Sequence, residues 1–341
     1  MIQRSNVQYT VDLFRPEDAQ GVARLFEDVY GNGYPIRLYY DPEKLIQANH
    51  TGECRSVVAR TTHGRIVGVH NLVRSAPYDS TYEWAAGLVL KEYRSMGISE
   101  RIVQCLLNDL VPMLGIEEVF GEPALNQLLI QKMSAGIGFV ETALELALMP
   151  QSLYSGDKSA AGRVATLLQF RCFKPRPHTV YIPYLYEKEL RFLYSALEDR
   201  RTLVPVSEDG LAGVDSEIRM QIFDFAQVAR IAIQHAGQDL DSQLAQLEED
   251  SLSRNVMVVQ AWLKLDSPTV ASAVHVLRSR GYFIGGILPR WFDTDGLLMQ
   301  KLRCSPDLQS IVLYSDRARE IFQIVTQDLE RAPRLGFGQS S

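Results

Sequence analysis

The segment that most narrows the fold of this chain runs from Leu88 to Leu110, where an apolar strand passes through a short turn straight into an amphipathic helix. Leu88-Val89-Leu90 has strand character, Lys91 to Gly97 form the turn, and Ile98, Ile102, Val103, Leu106, Leu107 and Leu110 recur at helical spacing. Pro112 and Gly115 are expected to close the helix. Such a junction is an anion site by geometry. The first amides of a helix lack intrahelical partners and the helix dipole places partial positive charge at the same end. Gly97, without a Cβ, lets backbone come close to a ligand, and Arg94 adds a charged donor.

The flanking segments alternate in the same way, which predicts a mixed α/β (α+β) architecture. Phe14 to Tyr30 reads as a helix with Pro16 in its first turn and Glu17 and Asp18 at its positive end. Ser56 to Arg60, Ile66 to Val73 and Trp84 to Leu90 read as strands, with a hairpin turn at His63-Gly64. A short strand at Glu118 to Phe120, a helix from Asn126 to Ala135 ended by Gly136, and a strand from Glu141 to Met149 follow. Composition shifts to Ser, Gly and Ala between Gln151 and Ala161, so the domain boundary is placed near residue 155, dividing the chain into 1-155 and 156-341. In the second part an edge strand is expected at Thr179 to Ile182 and strands at Thr202 to Val206, Ile218 to Phe225, Val256 to Leu263, Tyr282 to Leu288 and Leu297 to Leu302. Helices are expected at Glu187 to Glu198, Asp241 to Leu252 and Thr269 to Ser279.

Two domains suit a chain of 341 residues, and 46% hydrophobic with 22% charged residues suffices for packed cores. The 35 basic and 41 acidic residues are interleaved and sum to -6, which argues against nucleic-acid partners. No apolar run reaches the length of about 18 residues that spans a bilayer, and Met1 to Thr10 lacks a signal-peptide core, so a cytoplasmic protein with no membrane partner is expected. Cys54, Cys105, Cys172 and Cys304 are far apart and no His pair has ligand spacing, so reduced thiols and no metal are expected.

The stretch Arg94-Ser95-Met96-Gly97-Ile98-Ser99 resembles the acetyl-CoA motif of the GNAT superfamily of N-acetyltransferases, Q/R-x-x-G-x-G/A, with Ser99 departing at the last position. Phe14 to Asp18 resembles the family's opening strand and first helix, and Asn126 to Gly138-Phe139 its Asn-started helix with Gly-Phe closure. The resemblance covers about Val11 to Pro150 and implies a GNAT-type mixed central sheet flanked by helices. It further implies acetyl-CoA or another acyl-CoA as donor to a small-molecule or peptide amine. Backbone groups of Leu88, Val89 and Leu90 would pair with the pantetheine arm, amides of Arg94, Ser95, Met96, Gly97, Ile98 and Ser99 would cradle the pyrophosphate, and Asn126 would face the cofactor arm.

An amine must lose a proton from a form with pKa near about 10 before it attacks, and Glu83, early on the strand leading to Arg94, is the candidate base. Tyr82 is expected to point to the opposite face. The position where many family members carry an acidic tyrosine is Ser134 here, and Tyr30 and Tyr34 are candidates to line the acceptor site or to supply a proton.

Gln234-His235-Ala236-Gly237-Gln238-Asp239 repeats the motif's spacing, and Gly281-Tyr282-Phe283 resembles the Gly138-Phe139 closure. Tandem GNAT-like domains are therefore expected, the second degenerate because Asp239 puts a carboxylate beside the same helix terminus. His235 is a candidate ligand contact or an exposed turn residue, and Arg290-Trp291-Phe292-Asp293 either caps a cleft or packs. A homodimer is compatible with these features. Two other readings stay open: a non-catalytic acyl-CoA sensor, and an acyltransferase that uses an acyl carrier protein.

Overall fold

The computed structural model describes residues 8–155, 162–211 and 213–333. Two compact units divide the chain, Met1–Val119 and Phe120–Ser341.

The first unit holds β1 (Tyr9–Leu13), α1 (Ala19–Tyr30), α2 (Pro42–Thr51), β2 (Cys54–Thr61), β3 (Ile66–Val73), β4 (Thr81–Val89), α3 (Ile98–Cys105) and α4 (Val111–Leu114). β1, β2, β3 and β4 follow one another as antiparallel neighbours. Pro16 to Asp18 form a 3-10 turn before α1, so the regular helix starts later than Phe14. α1 then buries Ala19, Val22, Ala23, Leu25 and Phe26, the face its spacing predicts. Asp18, itself buried, ties this corner together by accepting from the Arg15 amide and the Arg60 guanidinium (Nε to Oδ1, 2.6 Å).

Pro112 does not end the helix that begins at Ile98. Leu106–Leu110 adopt a π-helical turn and α4 carries on through Pro112 until Gly115, at φ 66, stops it. Proline cannot supply the amide that an α-helical turn requires, and a π turn next to it is one way the backbone absorbs that loss. β5 (Glu118–Gly121) carries the chain from the first unit into the second, and its start is held by Glu117 and Glu118 amides that both donate to the Ser80 carbonyl (3.0 and 3.2 Å).

The second unit contains α5 (Leu129–Gly136), β6 (Val140–Pro150), α6 (Ser152–Ser155), β7 (Arg163–Cys172), β8 (His178–Pro183), α7 (Glu187–Tyr194), β9 (Arg201–Val206), β10 (Glu217–Phe223), β11 (Val228–His235), α8 (Leu240–Ser253), β12 (Val258–Lys264), α9 (Val270–Ser279), β13 (Phe283–Leu288), β14 (Gly296–Leu302) and α10 (Asp316–Arg331). Its main sheet runs β7-β6-β13-β14-β12-β11-β10, mixed because β11 and β12 are parallel. β8 and β9 form a separate parallel pair. This unit buries a large core cluster with members from Leu125 to Ala332, and a smaller one of Ala147, Leu148, Ala226, Val228 and Val258.

The unit boundary falls earlier than the composition shift suggests, because β6 is hydrogen bonded to β7 along its length and meets β13 at Ala143↔Gly286. The linker expected at Gln151 to Ala161 lies in part outside the described residues, and its first residues form α6.

On β6, Glu145 is buried between Thr166 Oγ1 (2.6 Å) and Gln260 Nε2 (2.6 Å), with Arg230 Nη2 4.0 Å away and Glu122 3.3 Å from that same nitrogen. Burial first, then the Glu122 charge, pushes its carboxyl up to about 8, against the pull of Arg230. A carboxyl raised in the folded state gives its full stability below the unfolded value and loses it as pH climbs through the folded one. Stability should therefore fall between about pH 4.5 and 8. Glu145→Gln, a neutral mimic of the protonated acid, should match the parent near pH 4 and exceed it at pH 9 by up to about 5 kcal/mol in denaturant melts; parallel pH profiles for the two proteins would refute the assignment.

Candidate functional site

The candidate residues of the first unit collect around an irregularity in β4. Ala86 takes a left-handed φ of 49, the pairing with β3 slips between Val69 and Asn71, and Asn71 Nδ2 donates to the Ala86 carbonyl at 3.1 Å. This is a β-bulge, a device that re-aims a strand. Before it, Tyr82 and Glu83 have separate partners. Tyr82 is buried, donating to the Gly52 carbonyl (3.1 Å) and accepting from Arg74 (3.0 Å). Glu83, its neighbour on the strand, is half-buried and accepts a hydrogen bond from Ser75 Oγ at 2.9 Å.

After the bulge, the Leu90 amide donates to the Val67 carbonyl at 3.0 Å, which makes Leu90 and Leu88 the residues whose backbone faces β3. In an antiparallel ladder the intervening residue then turns its N–H and C=O to the other edge. Val89 alone of the three offers outward backbone groups, and its carbonyl accepts from Arg94 Nε at 3.1 Å. The sequence-based expectation that all of Leu88 to Leu90 are available to a ligand is narrowed by this register.

The turn that follows is built for exposure of amides. Ser95 (φ 65) and Gly97 (φ 73) are both left-handed, and Gly97 caps α3. Among the described residues no hydrogen bond uses the amides of Ser95, Met96 or Gly97, and the first helical bond is Arg101 N to Gly97 O at 3.1 Å. Ile98 and Ser99 are in the first turn, where amides have no intrahelical partner. A Cβ built on Gly97 would meet nothing within 4 Å, so the cradle is open. From beneath, Tyr9 Oη donates to the Met96 carbonyl (3.1 Å) and Arg101 lies 4.9 Å over the Tyr9 ring.

Ser99 has a partner that sequence reasoning did not pick out. Its Oγ is 2.8 Å from Nε2 of the buried His70, whose Nδ1 is 2.9 Å from Trp84 Nε1. The available signal was the polar pair His70-Asn71 inside the otherwise apolar run Ile66 to Val73. Burial holds the imidazole down to about 4, so it is neutral at neutral pH.

Glu83 borders an aromatic cluster carried by α1 and the segment after it. Phe26 stacks on Tyr39 at 4.5 Å, Tyr34 lies 5.1 Å from Phe26, and Tyr30 lies 5.1 Å from Tyr34. Burial above all, then Cys54, Tyr34 and the Glu83 charge, drives the Tyr39 phenol well above its ordinary value. Tyr30 is also raised, mainly by burial, against the opposing charge of Arg94. Both phenols keep their protons at neutral pH.

Three of the thiols are held in the protonated form. Burial pushes Cys54 and Cys105 to about 11 and raises Cys304. Asn126 lies in the second unit, exposed in a turn, because α5 starts at Leu129 rather than at Asn126. Ser134 is buried inside α5, its hydroxyl donating to the Ile130 carbonyl at 2.8 Å, a structural role. Trp291 is packed against Phe120 (4.9 Å) and Trp262 (5.0 Å), and Arg290 and Phe292 are buried, so this segment packs rather than caps a cleft.

The repeated motif in the second unit is filled by its own chain. β11 ends at His235, partly buried, and α8 begins at Leu240. A Cβ on Gly237 would lie 1.9 Å from the Val214 carbonyl, the Gly237 amide donates to Ser216 Oγ (2.8 Å), and the Gln238 amide donates to Val214 O (3.1 Å). Asp239 accepts from the Ser216 amide at 2.7 Å. Between the ends of β11 and β12 there remains a cavity of about 10 Å³ beside His235 and Leu263, room for one water at most. Gly237→Ala should cost about 1–3 kcal/mol through this overlap and leave the Gly97 cradle untouched; an unchanged melting temperature would mean that the Val214–Ser216 segment is not seated as described.

No protein-family model and no curated protein matches this chain. Solved structures similar to it include GNAT-family acetyltransferases. One from Staphylococcus aureus Mu50 shares 14% identity, covering 49% of this chain and all of that one at a TM-score of 0.36. A GCN5-related N-acetyltransferase from Kribbella flavida shares 17% identity over 48% of this chain and 98% of its own, at a TM-score of 0.37. The ribosomal-protein-S5-alanine acetyltransferase of Vibrio fischeri shares 15% identity over 48% and 92%, at a TM-score of 0.39. Among the described residues, no helix is long and apolar enough to cross a membrane and no group of three His, Cys, Asp or Glu is placed to hold a metal ion.

Proposed function

We propose that this chain is an acyl-CoA-dependent N-acyltransferase that moves an acetyl group from acetyl-CoA to an amine, with its donor site in the first unit. The observation that carries the reading is the open cradle of unspent amides at Ser95, Met96 and Gly97 at the start of α3. An anionic pyrophosphate suits those donors and the helix terminus behind them, and Arg94 stands exposed beside them. Val89 offers the outward backbone groups that an extended amide-containing arm pairs with in the manner of an added strand.

Bound acetyl-CoA supplies a thioester whose C–S bond breaks as the amine nitrogen bonds to the carbonyl carbon, the thiolate leaving with a proton. Glu83 removes the ammonium proton, directly or through water. Its Ser75 partner, donating at 2.9 Å, fixes the carboxylate. Tyr30 and Tyr34 border the acceptor side, where a phenol can hand its proton to the leaving sulfur and take up the second proton that the attacking nitrogen sheds.

The second unit is proposed as a GNAT-like copy that has given up its donor site. Within it the order β11–α8–β12–α9–β13–β14 repeats the order β4–α3–β5–α5–β6–β7, which begins in the first unit and ends in the second, and the glycine cradle after β11 is occupied by Val214–Ser216. The acceptor class remains an amine, as a small molecule or on a peptide.

Calorimetric titration of the intact chain with acetyl-CoA tests the reading: one molecule bound per chain is expected. A flat titration would refute the donor site and shift attention to acyl carrier protein as donor. Binding without CoA release across a panel of amines, amino acids and peptide N-termini would favour the sensor reading, which the structural engagement of Ser134 already supports.

A further inference from the structure

Ser99 departs from the glycine or alanine of the motif it otherwise resembles, and the structure supplies a reason for a hydroxyl there. The indole Nε1 of Trp84 is a donor only, so the atom it meets at 2.9 Å, His70 Nδ1, must be the unprotonated nitrogen of the ring. The ring is buried and neutral, which leaves its single proton on Nε2. Nε2 then donates to Ser99 Oγ, 2.8 Å away. A histidine in this tautomer cannot take the serine proton, which excludes a Ser–His nucleophile at this place.

Because Ser99 Oγ accepts from His70, its own hydrogen must go elsewhere, and among the described residues no acceptor takes it. Ser99 sits in the first turn of α3, where no preceding helical carbonyl is available to it. The ring position is itself enforced. A Cβ at Gly87 would fall 2.1 Å from His70 Nδ1, so only glycine at 87 admits the imidazole beneath the strand, and the bulge at Ala86 opens the register where His70 lies.

We propose that Ser99 is a side-chain donor to the phosphate oxygens of the cofactor, and that His70, locked by Trp84, is the positioning residue that turns the Ser99 hydroxyl hydrogen toward them. The proposal rests on the donor-site reading above. It adds one charge-assisted hydrogen bond to the amide cradle at the position where a glycine or alanine would have none. Gly87, His70, Trp84 and Ser99 become one unit, coupled through β3, β4 and α3.

Nitrogen-15 NMR of the histidine side chains in the full chain at pH 7 gives the first test: His70 is expected with Nε2 protonated and Nδ1 bare, and the opposite tautomer overturns the proposal. Binding of CoA is then compared with displacement by pantetheine, which lacks the phosphates. Ser99→Ala should weaken CoA by roughly 10-fold or more and leave pantetheine unchanged. His70→Leu should do the same, His70→Gln should recover part of the loss because its Nε2 amide can still donate to Ser99, and His70→Leu added to Ser99→Ala should cost nothing further. CoA affinity of Ser99→Ala within twofold of the parent, or equal losses for CoA and pantetheine, overturns the role of Ser99 while leaving the donor site standing. A parent that binds no CoA overturns both.

Discussion

Gly97→Asp is expected to weaken CoA binding by at least about 100-fold, about 2.7 kcal/mol, while the protein keeps its melting temperature within a few degrees. Two facts about Gly97 make this separation of effects possible. Nothing lies within 4 Å of the position a Cβ would take, so a larger residue meets no protein atom. Its φ of 73 is left-handed, and aspartate is among the residues that visit that region, at a local cost of roughly 1 kcal/mol. The carboxylate would stand among amides that need an anion from the ligand, and two like charges about 4 Å apart repel by about 4 kcal/mol at the effective dielectric of a protein surface. Calorimetry of the folded variant decides it. Retained affinity would move the phosphates away from the Ser95–Ser99 turn and would take the Ser99 inference with them.

The second unit carries an acid close to the same turn. Asp239 follows Gly237 by two residues, at the place of Ser99 in the repeated motif, and there the carboxylate accepts from the Ser216 amide while Val214 covers the glycine. The sequence pattern identified the repeat spacing and the misplaced acid. What it could not identify is the segment that closes the cradle, because Val214–Ser216 comes from a loop upstream of β11 with no pattern of its own. An open and a closed cradle differ by a long-range contact, and motif spacing is blind to such contacts.

Legibility followed the physics of each element. α1 was readable because one face is buried and the periodicity shows it, and β3 because a short run rich in Val and Ile follows a turn signal. β7 was not, since residues Val164 to Phe170 are buried on both faces and the run has no alternation. α10 went unassigned although Ala318, Ile321 and Val325 lie on its buried face. Pro112 misled as a helix terminator because the π turn at Leu106–Leu110 was not foreseeable from residue types. At the candidate site, Gly97 and Glu83 are proposed from local chemistry. The bulge at Ala86 was not legible, as alanine carries no signal for a positive φ, and without the bulge the His70–Ser99 contact has no place in a regular ladder. The unit boundary was misplaced for a related reason: composition marks where the chain is loose, whereas β6 is assigned by the strands it pairs with.

Glu83→Gln is expected to reduce turnover by about 10²–10⁴-fold with acetyl-CoA affinity unchanged. The amide keeps the shape of the carboxylate and can keep a hydrogen bond with Ser75 Oγ, so positioning survives and only proton acceptance is lost. Val89, Arg94 and the Ser95–Ser99 turn are untouched by the change, which is why binding and turnover should part company. The defect should also depend on pH in a defined direction. An amine with pKa near about 10 is mostly protonated at pH 7 and needs a base, but near pH 10 a large fraction is already neutral. The ratio of parent to variant rates should therefore shrink as pH rises toward the amine's own value. With an amine that releases CoA in the parent, rates for both proteins from pH 7 to 10 decide the matter: a constant ratio would mean that Glu83 orients the acceptor rather than taking its proton, and equal rates throughout would remove it from the chemistry and turn the search for a base to Tyr34 and the rest of the aromatic cluster beside it.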